Sequence, residues 1–316
     1  MSSSGRVDAT DLEFESEGAT LRGQLYRPPG SEPVPLVVMA HGFSATTRGM
    51  VADCYAESFA SAGVGAFLYD HRGFGRSDGE PRGEINRWIQ GRGYRDALQF
   101  VAGHPGVAAD RLALWGDSMS GSIAVAVAAV DERVRAIVAQ VPACGSRPPP
   151  EDPDGVLFAE MRKRLLHGDA RAAPEAWEGP MPVVSPDPTS MPCALEPITA
   201  FRWFIERGAR FDTGWQNRVV RTTPRDAVWH AAIWAAHVTI PTCFIVARDD
   251  EMPGAEEPIA KLTFDALAGP KELHEIGGGH FGLLEHPGPV FEQASAIQAQ
   301  FLVQSIGRPI RSESPL

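Results

Sequence analysis

Blocks of apolar residues alternate with polar, turn-forming stretches along the first half of this chain. Residues 11–27 (DLEFESEGATLRGQLYR) read as two short strands around a turn at Glu17-Gly18. Pro28, Pro29 and Gly30 break the chain. Residues 35–40 (PLVVMA) then form a continuous apolar run, the pattern of a strand buried on both faces. Residues 50–62 place Val51, Cys54, Tyr55 and Phe59 at helical spacing, and Gly63 marks a stop. Residues 64–69 (VGAFLY) predict the next strand. Residues 84–103 predict a helix with Ile85, Trp88, Tyr94, Ala97, Leu98 and Val101 on its apolar side. A strand at 111–115 (RLALW), a small-residue helix at 121–130 and a strand at 134–141 follow. Strand–helix alternation of this kind implies an α/β fold, with a mostly parallel sheet covered by helices on both faces.

The rhythm fails between residues 145 and 238. This stretch holds two proline-rich pieces (SRPPPEDPDG and EGPMPVVSPDPTSMP) and helical patterns near 156–167, 195–207 and 224–236. It also carries five of the seven tryptophans: Trp177, Trp203, Trp215, Trp229 and Trp234. The α/β pattern resumes at 242–247 (TCFIVA), 271–276 (KELHEI) and a terminal helix near 288–303. The expected organisation is a core of residues 1–144 and 239–316 with residues 145–238 inserted as a helical lid. The tryptophans favour a lid that contacts an apolar ligand, although indoles also pack cores.

Composition narrows the function. The 316 residues carry 29 Lys+Arg against 40 Asp+Glu, a net charge of −11. Nucleic-acid binders neutralise phosphates with Lys and Arg, so this balance argues against one, and against docking on an anionic membrane. It also works against steering a highly anionic substrate inward. The four cysteines (Cys54, Cys144, Cys193, Cys243) form no CxxC pair, so neither zinc nor a redox dithiol is expected from spacing. The N-terminal residues have no basic-then-apolar leader pattern, and no run approaches the ~18 apolar residues of a membrane span. A cytoplasmic protein is the expectation; a homodimer is compatible with the sequence.

Chemistry concentrates at Leu114-Trp115-Gly116-Asp117-Ser118-Met119-Ser120-Gly121. A strand ends, one glycine passes, and a serine precedes a helix of small residues. A serine on such a turn is pushed out at the carboxyl end of the sheet, where open α/β folds bind ligands. The bland alternative is a helix N-cap. The segment resembles the nucleophile elbow of the α/β-hydrolase superfamily, G-x-S-x-G: Gly116 and Ser118 match, and Ser120 replaces the last glycine. The resemblance spans roughly residues 20–145 and 240–303. With the His41-Gly42-Phe43-Ser44 loop it is most similar to dienelactone-hydrolase and acyl-peptidase-related esterases.

A serine nucleophile needs an adjacent base. The superfamily's chain order, serine then acid then histidine, leaves six histidines after Ser118. His280 stands in Gly277-Gly278-Gly279-His280-Phe281-Gly282, just past the last strand, where glycines allow a loop back to the elbow. It is taken as the base. The resemblance implies an acid shortly after the strand at 242–247, within Arg248-Asp249-Asp250-Glu251-Met252-Pro253. Register from the strand end selects Asp250; register from the proline selects Asp249. Asp250 is chosen. The oxyanion hole is expected from the backbone N–H groups of Met119 and Phe43, with His41 holding the loop and the glycine-rich run 70–79 shaping the fold.

The expected activity is that of a serine hydrolase, without metal or cofactor. It would cleave a carboxylic ester or lactone of a medium-sized, partly apolar small molecule through an acyl-enzyme. Acyl transfer, thioester hydrolysis and carbon–carbon hydrolysis use the same triad and stay open, as does a small-ligand receptor that kept the fold without turnover.

Overall fold

The run at 35–40 lies inside strand β3 (Val34–Ala40), from Leu36 to Ala40 wholly shielded from solvent. A computed structural model describes residues 7–30, 32–168, 177–222 and 229–307. The other strands of the main sheet are β1 (Asp8–Ser16), β2 (Ala19–Arg27), β4 (Gly65–Tyr69), β6 (Val107–Asp117), β7 (Val134–Gln140), β10 (Thr242–Ala247) and β11 (Lys271–Ile276). They run in the order β1-β2-β4-β3-β6-β7-β10-β11. The β1–β2 hairpin turns at Glu17-Gly18 and joins β4 antiparallel; every later pairing is parallel. The strands at the centre are therefore β3 and β6, and their carboxyl ends meet at Ala40 and Gly116.

Helices α1 (Ala52–Ser61) and α8 (Pro289–Ile306) pack together on one face of the sheet. On the other lie α2 (Arg87–Ala102), α3 (Ser118–Ala128), α6 (Ala231–Ala235) and α7 (Glu257–Ala266). Burial is continuous through both layers. Tyr55, Trp115 and Phe291 meet on the α1/α8 side, with Trp115 Nε1 donating to Gln298 Oε1 at 2.7 Å.

Several boundaries differ from the sequence pattern. The helix expected at 84–103 begins at Arg87, because the Asn86 side chain caps it by accepting from the N–H groups of Trp88 and Ile89. Residues Glu84–Ile85 instead form a short strand, β5. Helix α3 starts three residues earlier than its apolar pattern, at Ser118 itself. Helix α7 supplies the crossover that two adjacent parallel strands, β10 and β11, require. Pro258 in its first turn and the Glu257–Lys261 pair one turn apart are its sequence signals.

Residues 145–238 leave the sheet after β7 and return at its neighbour β10. The pattern predicts a helical insertion; the segment is only partly helical. Strands β8 (Trp177–Met181) and β9 (Val219–Thr222) build a small second sheet with β5, in the order β5-β9-β8. Helix α4 (Val156–His167) matches its expected span. The pattern at 195–207 becomes α5 (Ile198–Trp203) followed by a wider turn at Phe204–Gly208. Of the helix expected at 224–236, residues 224–228 lie outside the described residues, and α6 covers the end.

Candidate active site

The site begins with a backbone conformation. Ser118 has φ of 52°, a left-handed value that a non-glycine residue adopts at a cost of order 1–3 kcal/mol. The turn needs a glycine beneath it: a Cβ on Gly116 would lie 2.4 Å from the backbone carbon of Ser120. Ser120, where the elbow pattern has glycine, keeps its hydroxyl fully engaged. Ser120 Oγ donates to the His41 carbonyl at 2.6 Å and lies 3.0 Å from His71 Nε2. The hydroxyl's own proton is thus committed, so His71 donates from Nε2.

That arrangement makes His71 a neutral, single-tautomer residue. Its Nδ1 is buried without a partner, and burial lowers its pKa to about 3. The folded value lies below the ordinary ~6.5, so the stabilisation is complete above pH 6.5 and is lost as pH falls toward 3. By pH 5 the loss amounts to about 2 kcal/mol. Thermal unfolding followed from pH 7 to pH 5 should show this decline, and His71→Asn should flatten it. Parallel declines in the two proteins would remove His71 as the cause.

The loop after β3 is locked to the elbow by charge. Asp117 Oδ1 accepts the Gly42 N–H at 2.8 Å and lies 3.1 Å from His41 Nδ1. His41 Nε2 faces the Met50 carbonyl at 2.6 Å, so it carries a proton. Burial opposes the imidazolium, but Asp117 outweighs it and raises the His41 pKa. With both ring nitrogens protonated, His41 and Asp117 form a buried ion pair directly beside Ser118. Gly42 permits the close approach, since a Cβ there would stand 3.0 Å from the Ser118 Cβ. Asp117→Ala would strand a charge in the core. The expected loss is roughly 3–5 kcal/mol, read by chemical denaturation, and Asp117→Asn should lose clearly less.

Phe43 and Met119, the residues expected to offer N–H groups to an oxyanion, both line the cavity beside Ser118. Gly42 has spent its own on Asp117, Phe43 lines the cavity, and Met119 lies in the first turn of α3, where N–H groups lack an intrahelical partner. The positive end of the α3 dipole adds to their pull on an anion.

His280 opens a short turn of helix, His280–Leu284, after β11. Its Nδ1 lies 2.8 Å from Asp250 Oδ2, and both side chains are buried. Asp250 Oδ1 also accepts the Met252 N–H at 2.9 Å, which fixes the carboxylate. Asp249, the other register, is exposed and makes no such contact. Glu251 contributes what the sequence did not signal: its Oε2 accepts the His280 backbone N–H at 2.9 Å. Burial works against its charge, yet bonds from Thr199 and His280 hold its pKa below the usual range. Glu251 thereby ties the His280 turn to α5.

Ser118 and His280 line one cavity of about 300 Å³, at the lower end of the roughly 300–1,000 Å³ found for small-molecule pockets. No hydrogen bond joins their side chains among the described residues. The walls are apolar, from Phe43, Ile85, Leu195, Trp203, Met252 and Phe281, interrupted by Arg87 and Arg221. The inserted segment supplies Ala194, Leu195, Trp203, Phe204 and Arg221. The tryptophans do less than expected. Trp203 reaches the cavity, its Nε1 donating to the Leu284 carbonyl at 3.0 Å. Trp215 stacks on Phe204, while Trp229 and Trp234 cluster with Trp88 away from the lining. The side chain of Trp177 lies outside the described residues.

None of the cavity's residues forms a metal-binding group. Among the described residues one such cluster exists, Cys243, Glu272 and His274, on β10 and β11. Burial pushes the Cys243 thiol well up, which disfavours the thiolate a metal needs. Among the described residues no helix is long and apolar enough to cross a membrane.

Comparison with known proteins agrees with the layout. The sequence profile of a family described as "Serine aminopeptidase, S33" (Hydrolase_4) matches residues 31–190. The chain is 30% identical to thiohydrolase aneE of Aspergillus aculeatus, over 93% of this chain and 92% of that protein. It is 30% identical to polyketide transferase grgF of Penicillium sp., over 86% of this chain and 89% of that one. The crystal structure of the α/β-hydrolase GrgF from Penicillium sp. sh18 superposes with a TM-score of 0.73 at 28% identity, covering 95% of this chain and 100% of that one. Dienelactone hydrolase from Anabaena variabilis shares the fold, with a TM-score of 0.56 at 14% identity over 95% and 99% of the two chains.

Proposed function

Because this chain belongs to the α/β-hydrolase superfamily, we propose that it is a serine enzyme that takes an acyl group from a thioester and passes it to water or to an alcohol. The observation that carries the reading is the buried Asp250–His280 pair, 2.8 Å apart, opening on the cavity that Ser118 lines. The names of the relatives, thiohydrolase and polyketide transferase, move the emphasis from the ester or lactone expected from sequence to the thioester. An oxygen ester differs only in its leaving group and passes through the same acyl-enzyme.

In this reading Ser118 Oγ attacks the acyl carbonyl while His280 Nε2 takes its proton. Asp250 holds the Nδ1–H and stabilises the imidazolium. The carbonyl oxygen becomes an anion that accepts hydrogen bonds from the Phe43 and Met119 N–H groups. The tetrahedral centre then expels the thiol, which leaves with the proton from His280. His280 next deprotonates the second acceptor, which attacks the acyl-serine and frees the enzyme. Residues 145–238 act as a cap that lines the acyl pocket and limits water, and that exclusion sets whether an alcohol can compete.

The test is product partitioning. Incubation with hexanoyl-N-acetylcysteamine should release free thiol and hexanoic acid. Added medium-chain alcohol should divert part of the acyl group into ester, with free acid and ester together accounting for the thiol released. Intact thioester alongside intact p-nitrophenyl hexanoate, with well-folded protein, would reject the reading.

A further inference from the structure

The cavity wall contains a cation with no partner charge among the described residues. Arg87 is the first residue of α2, so its charge sits at the positive end of the helix dipole, the end that disfavours cations. Among the described residues it makes no hydrogen bond and no ion pair. Its one contact of note is with the Trp229 ring, 5.8 Å from the guanidinium carbon. The other arginine on the wall, Arg221, is held by Glu178 at 3.3 Å and by the Ala194 carbonyl at 3.3 Å. Burial lowers the Arg87 pKa to about 10, which leaves it charged at neutral pH. Among the described residues no anion in the wall answers it. The Cys144 thiol nearby is pushed up to about 12 and stays neutral, and Asp117 is paired with His41.

A half-buried guanidinium in the cavity wall, placed against a dipole and touched only by the Trp229 ring, keeps its N–H donors free. Such a group binds a planar or tetrahedral oxyanion in two-point fashion. Building on the function proposed above, we infer that Arg87 recognises an oxyanion on the substrate, so that the site prefers an acyl thioester or ester bearing a carboxylate or phosphate over its neutral counterpart. The overall charge of −11 does not oppose this, since long-range steering is screened by salt whereas a contact inside the cavity is not. The oxyanion has two possible sources: a carboxylate at the far end of the acyl chain, or the phosphates of the thiol carrier.

The experiment compares two matched pairs in wild type, Arg87→Gln and Arg87→Lys. Mono-p-nitrophenyl adipate against p-nitrophenyl hexanoate varies the acyl end. Hexanoyl-coenzyme A against hexanoyl-N-acetylcysteamine varies the carrier. The readout is the ratio of kcat/KM within each pair, which cancels differences in folded fraction. Wild type should favour the anionic member of one pair, and Arg87→Gln should collapse that ratio by roughly 10- to 100-fold, with Arg87→Lys between them. The pair that responds identifies the source. Ratios that are the same in wild type and Arg87→Gln for both pairs overturn the inference, as does a wild-type preference for both neutral members. Failure of the function reading looks different: no wild-type turnover of any of these substrates. The anion site is then read without turnover, by the thermal shift that adipate or coenzyme A gives Ser118→Ala. Loss of that shift in Ser118→Ala/Arg87→Gln supports the inference, and equal shifts, or none in either protein, overturn it.

Discussion

Ser118→Ala is expected to lose turnover of acyl thioesters and p-nitrophenyl esters by on the order of 10⁴-fold or more, with no loss of thermal stability. The hydroxyl is the nucleophile in this account and has no structural duty to lose. The backbone around it does. Its φ of 52° is strained for any residue with a Cβ, and the strain survives in alanine but not in glycine. Ser118→Gly should therefore be equally inactive yet more stable, by about 1 kcal/mol. That combination separates a catalytic serine from a helix cap, because removing a cap lowers stability and leaves chemistry alone. Kinetics and thermal unfolding of the two variants decide between them. Retained turnover in Ser118→Ala, or a stability loss in both, would favour the cap.

Asp250→Asn is expected to cut kcat by roughly 10³- to 10⁴-fold, while Asp249→Asn stays within about threefold of wild type. The amide keeps the shape of the carboxylate but supplies no charge for the imidazolium and offers an N–H where His280 Nδ1 needs an acceptor. Asp249 is exposed and holds nothing in the cavity. The assay is kcat on p-nitrophenyl hexanoate with each variant corrected by fluorophosphonate titration of competent sites. The reverse ranking would place the acid one residue earlier.

These residues differ in how openly the sequence displays them. The central strands were legible because a strand buried on both faces must be apolar throughout, as 35–40 and 242–247 are. The elbow was legible because two backbones can touch only where side chains are small, and Gly116 and Gly121 sit where the Gly116–Ser120 contact demands it. Glycines around His280 announced a loop with room to turn. By contrast, β8 (WEGPM) and β9 (VVRT) are too short, and β8 too interrupted by Gly and Pro, to show a period of two. β9 exists because it pairs with β5, a partner distant in sequence, and β8 because it pairs in turn with β9. The choice between Asp249 and Asp250 likewise depended on which carboxylate the strand end turns inward, which no spacing rule decides. The Asp117–His41 pair and the Glu251 bond to the His280 backbone were invisible for the same reason: each joins residues far apart in the chain. Tryptophan abundance overstated the ligand contact, since of the described indoles in the inserted segment only Trp203 lines the cavity and the others pack against aromatic neighbours.

The most direct measurement is the mass of the intact protein, quenched soon after mixing with hexanoyl-N-acetylcysteamine and mapped by peptide digestion. The account predicts a hexanoyl adduct on the peptide carrying Ser118, formed as thiol is released and absent from Ser118→Ala. Thiol release with no acylation of Ser118, or with the acyl group on a cysteine such as Cys144, contradicts it.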